Sequence, residues 1–429
     1  MDKYIIKGNT NLKGKVKISG SKNTAVAILP AAILSSETVL IENLPDITDV
    51  RTMINILENL GVAIRRRGRD AVEMTPGNLS KVAPSYDLVK KMRASYYFMG
   101  SLLARFGRAE VPIPGGCDLG PRPIDQHLKG FSALGADIEI EHGMITLSAG
   151  KLVGANIYLD VVSIGATVNL MFAAAVAEGR TVLENVAKEP EIVDVANFLN
   201  AMGAKIRGAG TDVIRIDGIK KFNGARHTVI PDRIEAGTFM FAAAASRGVV
   251  TVEDVIPKHL EAITAKLREI GIRVKVEPER IIVDGTEPIR PADLKTFPYP
   301  GFPTDLQPPA MVLLSAAKGL SVVTENVFDG RYNYVDELKR MGAHIKVEGR
   351  TALVEGGYKL SGAPVSAPDL RSGAALVIAA LIAEGESQVN DIEHVDRGYE
   401  KFDKKLISLG ASIQRVTETE ITQMSGNAD

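Results

Sequence analysis

The chain has 429 residues, of which 45% are hydrophobic and 24% charged, and its formal net charge is −1. This composition is ordinary for a globular protein with a large core, and the length predicts two or three domains. Because no global basic field is present, the sequence predicts neither nucleic-acid binding nor attraction to anionic membranes.

The cysteine and histidine content narrows the classes of site further. A single cysteine excludes an intrachain disulfide, which is typical of a reducing compartment. The first residues have no apolar signal segment, and apolar stretches such as 374–383 are far shorter than the ~20 residues of a membrane span. We therefore expect a cytoplasmic protein. The six histidines show no HxxH or HExxH spacing, so no metal site is predicted.

A short sequence motif recurs six times along the chain. It consists of an apolar segment, a glycine, and then alternating apolar and polar residues. Each motif predicts a helix that ends at a left-handed glycine and is followed by a β-hairpin. Intervals of 74, 68, 68, 71 and 68 residues indicate a duplicated unit. The glycines are Gly61, Gly135, Gly203, Gly271, Gly342 and Gly410.

A second motif precedes the first in every unit. It is a helix of small and apolar residues, which begins near residues 23, 93, 163, 233, 305 and 369 and is predicted to be buried on all sides. One unit therefore reads as helix, strand, helix and hairpin. Periodicity alone leaves open one ring, one solenoid or two groups of three. The turns at 20–22 and 231–232 are candidate crossings between two lobes, with a ligand cleft between them.

The only cysteine lies in a segment rich in glycine and proline. Seven of the twelve residues in 112–123 are Gly or Pro, which predicts a loop. A free cysteine is usually buried and structural, whereas this loop and Arg122 favour an accessible thiol. The nearest histidine in sequence, His127, is ten residues away, and no second cysteine exists for a redox pair. General acid is the remaining role that fits Cys117.

Several charged residues occupy equivalent ends of the repeated units. Lys22 follows a Gly-Ser turn at a helix start, a pattern that suits either an anion site or a capped helix. Singly, an Asp at such a place is usually an N-cap and an Arg is usually solvated. If the helices are aligned, these ends converge, and the cations would suit a ligand that carries a phosphate, a carboxylate and a diphosphate. The other residues are Arg93, Arg122, Arg331, Arg371, Arg397, Asp305 and Asp369.

Over essentially its whole length, the sequence resembles the UDP-N-acetylglucosamine 1-carboxyvinyltransferase family of enolpyruvyl transferases. The Gly-Gly-Cys loop is its most specific part, since the related enolpyruvylshikimate phosphate synthase lacks it. The motifs that carry the resemblance are Ser21–Thr24, Arg93–Ser95, Gly115–Pro123, Ser163–Thr167, Pro303–Asp305, Asp369–Gly373 and Asp396–Tyr399.

The resemblance implies an α/β fold, a two-domain inside-out α/β barrel in which each domain is built from three repeated βαβαββ-type units. One domain would span 20–230 and carry the Cys117 loop. The other would combine 1–19 with 231–429. The implied activity transfers the enolpyruvyl group of phosphoenolpyruvate to the 3′-hydroxyl of UDP-N-acetylglucosamine and releases phosphate by addition and elimination. This is the first committed step of peptidoglycan precursor synthesis, which serves cell wall biogenesis, cell shape, the cell cycle and cell division.

The resemblance also assigns roles to single residues. Cys117 would be the acid and Asp305 the base, with Asp369 in support. No cofactor or metal is implied, although phosphoenolpyruvate can form a covalent adduct with Cys117. The implied partners are the two small-molecule substrates, phosphoenolpyruvate and UDP-N-acetylglucosamine. The phosphoenolpyruvate-binding residues would be Lys22, Asn23, Arg122, Arg331, Arg371 and Arg397. The UDP-sugar-binding residues would be Arg93, Arg122, Pro123, Ile124, Asp125, Gln126, Val161, Val162, Ser163, Ile164, Asp305 and Val327.

Two departures and three rival functions remain. Val161 stands where some members carry Lys, and Arg331-Tyr332-Asn333-Tyr334 replaces the more usual Arg-Phe-Met-His. The first rival is enolpyruvyl transfer to shikimate 3-phosphate, against which the Cys loop argues. The second is an RNA 3′-phosphate cyclase-like nucleotidyl transferase, which would need a nucleophilic histidine in a suitable motif. The third is a catalytically silent nucleotide-sugar sensor.

Overall fold

The computed structural model describes residues 2–79, 81–90, 92–113 and 124–417. Cys117, Arg122 and Pro123 lie outside the described residues. The described chain divides into two compact units, one within 20–230 and one that combines 2–19 with 231–417.

Short helices alternate with strands in both units. The helices of the unit 20–230 are Lys22–Ala31, Thr48–Leu60, Tyr86–Val89, Tyr97–Phe106, Asp125–Ala133, Ile164–Ala174 and Pro190–Ala201. Those of the unit 231–417 are Arg233–Ala245, Glu261–Glu269, Gln307–Ser315, Val335–Arg340, Leu370–Ile382, Glu393–Asp396 and Phe402–Ser408. None of the helices in the described ranges combines the length and the apolar character that crossing a bilayer requires.

The described residues of the unit 20–230 form three sheets, one for each repeat. In spatial order, the first consists of Arg226–Thr228, Val39–Glu42, Val72–Thr75 and Ala63–Arg66. The second consists of Arg108–Pro112, Met144–Ser148 and Asp137–Glu141. The third consists of Lys205–Arg207, Val213–Asp217, Arg180–Glu184 and Asn156–Tyr158. The loop predicted from residue 112 starts later, because Pro112 ends an edge strand, where a missing N–H is tolerated.

The unit 231–417 also contains three sheets. The first consists of Arg273–Glu277, Arg280–Asp284, Val249–Glu253 and Lys13–Lys17. The second consists of Leu294–Lys295, Gly319–Thr324, Thr351–Gly356 and His344–Glu348. The third consists of Pro364–Ser366, Glu386–Asn390, Lys3–Lys7 and Ser412–Val416.

Apolar helices form the inside of each unit, as the sequence predicts. In the unit 231–417, the helices Arg233–Ala245, Gln307–Ser315 and Leu370–Ile382 contact one another, and each also contacts a strand. The residues of Arg233–Ala245 are all buried. Strands such as Arg180–Glu184 instead alternate buried and exposed positions, as expected of a sheet with one face in the core. The predicted inside-out α/β architecture is confirmed.

The six repeated glycines have the predicted backbone conformation. Their φ angles are positive, from +91° at Gly135 to +107° at Gly61, and the others lie between these values. Such angles are strained for a side chain with a Cβ, so glycine at these helix ends is required by the backbone.

The sixth repeat completes its sheet with a strand from the opposite end of the sequence. Among the described residues, Ser412–Val416 pairs antiparallel with Lys3–Lys7, which pairs on its other side with Glu386–Asn390. Tyr4 lies opposite Arg415 on one side and Val389 on the other. The local hairpin predicted after Gly410 is therefore replaced in this sheet by a long-range pairing.

Candidate active site

Asp305 lies between two buried arginines in the unit 231–417. It sits in the 3₁₀ turn Thr304–Leu306 that precedes the helix Gln307–Ser315. Its Oδ1 accepts a 2.8 Å hydrogen bond from Nη2 of Arg331, and its Oδ2 accepts a 3.0 Å bond from Nε of Arg371. The arginines are 1% and 4% exposed, so the carboxylate supplies the opposite charge that two buried cations need.

Asp305 and Asp369 lie at the starts of equivalent helices, but their side chains make different contacts. The Oδ1 of Asp369 accepts bonds from the backbone N–H groups of Arg371 and Ser372, at 2.9 and 3.0 Å, and thereby caps the helix Leu370–Ile382. No side-chain cap forms at the helix after Asp305. The default reading of an Asp at such a position is therefore correct for Asp369, whereas the side chain of Asp305 faces the arginines.

The guanidinium of Arg371 is held on several sides. Its carbon lies 5.2 Å from the ring centre of Tyr399, whose hydroxyl is 2.9 Å from Oγ1 of Thr238. Burial raises the pKa of Tyr399, so this hydroxyl stays protonated. Within the described chain, Nη1 of Arg371 is buried and has no hydrogen-bond partner. A buried cationic donor in this condition is suited to an anion.

Glu325, which the sequence analysis missed, ties the segment of Val327 to the turn that carries Asp305. Its Oε1 accepts from the N–H groups of Val327 and Phe328 at 2.8 and 3.1 Å, and its Oε2 accepts from Oγ1 of Thr304 at 3.0 Å. Glu325 is fully buried. The only sequence signal was a charged residue directly after a strand, which does not distinguish it from a solvated position.

Residues 332–334, which depart from the usual family sequence, contact residues around Asp369 and Gln307. Asn333 donates from Nδ2 to Oδ2 of Asp369 at 3.1 Å, and the hydroxyl of Tyr334 donates to Oε1 of Gln307 at 2.8 Å. Burial raises the pKa of Tyr332 to about 12, and its hydroxyl donates to the carbonyl of Val323. Arg397 is half-buried and follows the helix Glu393–Asp396, whose last residue pairs with Arg415 at 2.7 Å.

In the unit 20–230, Lys22 begins the first buried helix and pairs with an acid. Ser21 is the N-cap, since its hydroxyl accepts from the N–H of Thr24 at 3.3 Å. Nζ of Lys22 lies 3.1 Å from Oδ2 of Asp49, and the two side chains are 14% and 4% exposed. Asp49 lies in the first turn of the helix Thr48–Leu60 and was not singled out by the sequence analysis. The ammonium group of Lys22 and the start of its helix both favour an anion at this place.

The residues predicted for the UDP-sugar occupy helix starts in this unit. Arg93 begins a 3₁₀ turn, Ile124 precedes the helix Asp125–Ala133, and Ser163 caps the helix Ile164–Ala174 by accepting from Ala166 N–H at 3.2 Å. Val161, Val162 and Ile164 are 57%, 38% and 39% exposed, so they form a small apolar patch beside Ser163. Asn23 is half-buried.

The side chain of Gln126 is already engaged by its neighbours. It is 5% exposed, its Oε1 accepts from Asp160 N–H at 2.9 Å, and its Nε2 lies 3.2 Å from Oδ2 of Asp160 and 2.7 Å from Oδ2 of Asp125. Lys129 also pairs with Asp160, at 2.8 Å. The amide of Gln126 therefore fixes the segment that leads to Val161. With 5% of its surface exposed, Gln126 has little side-chain surface left for a ligand.

The site is built for anions and proton transfer. Within the described ranges, no group of three or more His, Cys, Asp or Glu side chains could hold a metal ion. The contacts bring Asp305, Arg331, Arg371 and Asp369 together in one unit, and Lys22 with Asp49 in the other. The arginines of such a cluster can bind a carboxylate or a phosphate. The carboxylate between them can accept a proton from a hydroxyl group.

Comparisons with known proteins identify the relatives of the chain. Residues 6–406 match the family described as EPSP synthase (3-phosphoshikimate 1-carboxyvinyltransferase). UDP-N-acetylglucosamine 1-carboxyvinyltransferase 2 of Geobacillus kaustophilus is 55% identical over 426 residues, which cover 99% of each chain. The enzyme of the same name from Bacillus subtilis is 53% identical, with 100% of each chain covered. Among solved structures, the enolpyruvyl transferase NikO from Streptomyces tendae superimposes with a TM-score of 0.88 at 26% identity, covering 97% of this chain and 99% of its own.

Proposed function

The chain belongs to the enolpyruvyl transferase family, and we propose that it transfers the enolpyruvyl group of phosphoenolpyruvate to the 3′-hydroxyl of UDP-N-acetylglucosamine, with release of phosphate. It is a transferase of peptidoglycan precursor synthesis, where it carries out the first committed step. The family description alone would also fit a shikimate 3-phosphate acceptor. The full-length relatives at 53–55% identity, all named for the UDP-sugar, favour the proposed acceptor.

Phosphoenolpyruvate is bound through its negatively charged carboxylate and phosphate groups. Arg331 and Arg371 receive the carboxylate, a role supported by the buried and unpartnered Nη1 of Arg371. Lys22, Asn23, Arg122 and Arg397 receive the phosphate end. The cations among these residues offset the negative charges of the substrate, so that its C2 is open to attack by the hydroxyl oxygen.

Asp305 accepts the proton of the attacking hydroxyl. Both of its oxygens are bonded to arginines, and a carboxylate between two cations is a poor base. The carboxylate of phosphoenolpyruvate has the right charge to take over one of these arginines, which leaves an oxygen of Asp305 available. Substrate binding thereby prepares the base, and the cluster of Asp305, Arg331 and Arg371 is the observation on which the proposed function chiefly rests.

The reaction proceeds by addition and then elimination. The sugar hydroxyl attacks C2 of phosphoenolpyruvate while Cys117 donates a proton to C3, and a tetrahedral ketal forms. The ketal then loses phosphate and a proton of the new methyl group, which leaves the enol ether. A positioned acid or base accelerates such proton transfers by about 10²–10⁴-fold. Exclusion of water would protect the intermediate from hydrolysis.

The UDP-sugar is held by Arg93, Arg122, Pro123, Ile124, Asp125, Gln126, Val161, Val162, Ser163, Ile164, Asp305 and Val327. Exposure of Val161, Val162 and Ile164 supports this assignment, because an apolar surface can cover the flat faces of a nucleotide sugar. The reaction needs no metal or cofactor, takes place in the cytoplasm, and involves neither nucleic acid nor membrane.

The decisive experiment is release of phosphate from phosphoenolpyruvate by the full-length protein. We expect release only when UDP-N-acetylglucosamine is added, and the same rate after treatment with EDTA. Shikimate 3-phosphate is the matched control acceptor. Release with shikimate 3-phosphate but not with the UDP-sugar would refute the proposed acceptor, and binding of the UDP-sugar without release would leave a sensor.

A further inference from the structure

A buried amide, Asn169, links three helical segments of the unit 20–230. It lies in the helix Ile164–Ala174 and is fully buried. Its Oδ1 accepts a 2.8 Å hydrogen bond from Gly100 N–H, and its Nδ2 donates at 3.1 Å to the carbonyl of Tyr96. The same Nδ2 lies 3.0 Å from Nδ1 of His127. We call Tyr96, Gly100, His127 and Asn169 the Asn169 junction.

These hydrogen bonds determine the protonation of His127. Since Oδ1 of Asn169 accepts from a backbone N–H, its NH₂ group must be the donor to both remaining partners. Nδ1 of His127 is then an acceptor, and the neutral ring carries its proton on Nε2. Burial lowers the pKa of this histidine to about 4, with Arg93 acting in the same direction and Asp125 opposing it. The ring of Tyr96 packs edge-on against the imidazole at 5.1 Å.

Two glycines allow close packing at the Asn169 junction. A Cβ at Gly100 would lie 2.5 Å from the carbonyl oxygen of Asn169, so the two helices meet at a glycine. A Cβ at Gly165 would lie 2.7 Å from the hydroxyl of Tyr96. Tyr96 therefore rests on the backbone at the start of the helix Ile164–Ala174, directly after Ser163 and Ile164.

Each of the three linked segments carries residues assigned to the UDP-sugar. Arg93 lies in the turn of Tyr96, Asp125 and Gln126 lie in the helix of His127, and Ser163 caps the helix of Asn169. We propose that Asn169 is a positioning residue for UDP-sugar binding, which holds these three segments in register through neutral His127. This inference rests on the proposed function and adds two positioning residues, Asn169 and His127, which act through the binding residues.

The test is the variant Asn169→Asp. The carboxylate keeps the size of the amide and can accept from Gly100 N–H, but it cannot donate to Tyr96 or to His127. We expect the Kd for UDP-N-acetylglucosamine, measured by calorimetry, to rise about tenfold. Turnover at saturating substrates should change by less than about threefold, because the residue acts on binding.

A pH readout separates positioning from a purely structural role. In Asn169→Asp, the carboxylate favours a protonated His127, so the Kd should vary between pH about 6 and about 8, whereas the Kd of the wild type stays constant. Among the described residues, Asp125 and Arg93 act on His127 by their charges and Tyr96 packs against it, and all three are unchanged in this variant. ¹⁵N NMR should find His127 with its proton on Nε2 in the wild type and doubly protonated in the variant. His127→Gln assigns the signal among the six histidines.

Variants of His127 keep the inference testable if Asn169→Asp does not fold. His127→Gln retains an acceptor for Asn169, and its Kd should stay within about threefold of the wild type. His127→Leu removes that acceptor and should raise the Kd about tenfold. The control away from the assigned residues is Asn200→Asp, at an exposed amide. Asn200 also bonds an N–H and a carbonyl, both of Ile206, in a segment without assigned site residues.

The outcomes are distinct. An unchanged Kd in Asn169→Asp, with a lowered unfolding temperature, would make Asn169 an ordinary core amide. Equal Kd values for His127→Gln and His127→Leu would overturn the role of His127 in the same way. If the wild type itself released no phosphate with the UDP-sugar, the proposed function would fail, and that result is independent of these variants.

Discussion

Nε of Arg371 donates a 3.0 Å hydrogen bond to Oδ2 of Asp305, a residue 66 positions away in the sequence. Both side chains lie at the starts of buried helices, in the fifth and sixth repeats. The bond joins a candidate base to a candidate substrate cation, and it pairs two opposite charges at a place where the arginine is buried. In the proposed mechanism, Asp305 becomes available as a base only after Arg371 or Arg331 binds another anion.

The first prediction concerns the base. Asp305→Asn keeps the size of the side chain and one acceptor for an arginine, but it cannot take up a proton. We expect turnover to fall by about 10²–10⁴-fold in a phosphate-release assay, with circular dichroism unchanged. The control is Asp336→Asn, since Asp336 is an exposed partner of Lys339. If the turnover of Asp305→Asn stayed within about twofold of the wild type, Asp305 would not be the base.

The second prediction concerns the acid. Cys117→Ser replaces the thiol by a much weaker acid, so turnover should drop by about 10²-fold or more while calorimetry still detects UDP-sugar binding. The epoxide fosfomycin, if it alkylates this thiol as the family resemblance implies, should inactivate the wild type and spare the variant. A fully active serine variant would contradict the assignment.

A third prediction follows from the ion pair between Lys22 and Asp49. Asp49→Asn removes the charge that holds Lys22 at the helix start, and we expect the KM for phosphoenolpyruvate to rise about tenfold with a smaller change in turnover. Asp46→Asn is the control in the same segment, because its pair with Arg51 is exposed and worth less than about 1 kcal/mol. Identical KM values in the two variants would mean that Asp49 does not orient Lys22.

The fourth prediction is a pH dependence of stability. His127 has a pKa of about 4 in the folded chain because burial disfavours its charged form, against 6.5 ordinarily. The unfolded state therefore binds the proton more readily. The contribution of neutral His127 to the free energy of unfolding is fully present above pH 6.5 and is lost as the pH falls toward 4.

This difference in pKa corresponds to about 3 kcal/mol. Urea denaturation of wild type and His127→Gln at several pH values checks it, since glutamine does not titrate. The advantage of the wild type over the variant should shrink as the pH falls through this window. Parallel pH profiles would show that His127 is not the group responsible.

Much of the candidate site could be predicted because its residues recur at equivalent helix starts. Asp305, Arg331 and Arg371 were singled out on that basis, and the structure brings them within hydrogen-bond distance. Asp49, Glu325 and Asn169 were not predicted. Each is a single polar residue whose partners belong to other elements, so no local spacing marks it, and its burial becomes visible only in the folded chain.

The amino-acid sequence alone determined the six repeats, the buried small-residue helices and the left-handed glycines, because helix periodicity and backbone strain act over a few neighbouring residues. Only the tertiary structure decided that Lys3–Lys7 completes the sheet of the sixth repeat. Likewise, it alone decided that Asp305 faces two arginines while Asp369 caps its helix. These choices depend on which distant segments pack together, since the energy of an ion pair or a strand pairing is gained only once the chain has closed the loop between its partners.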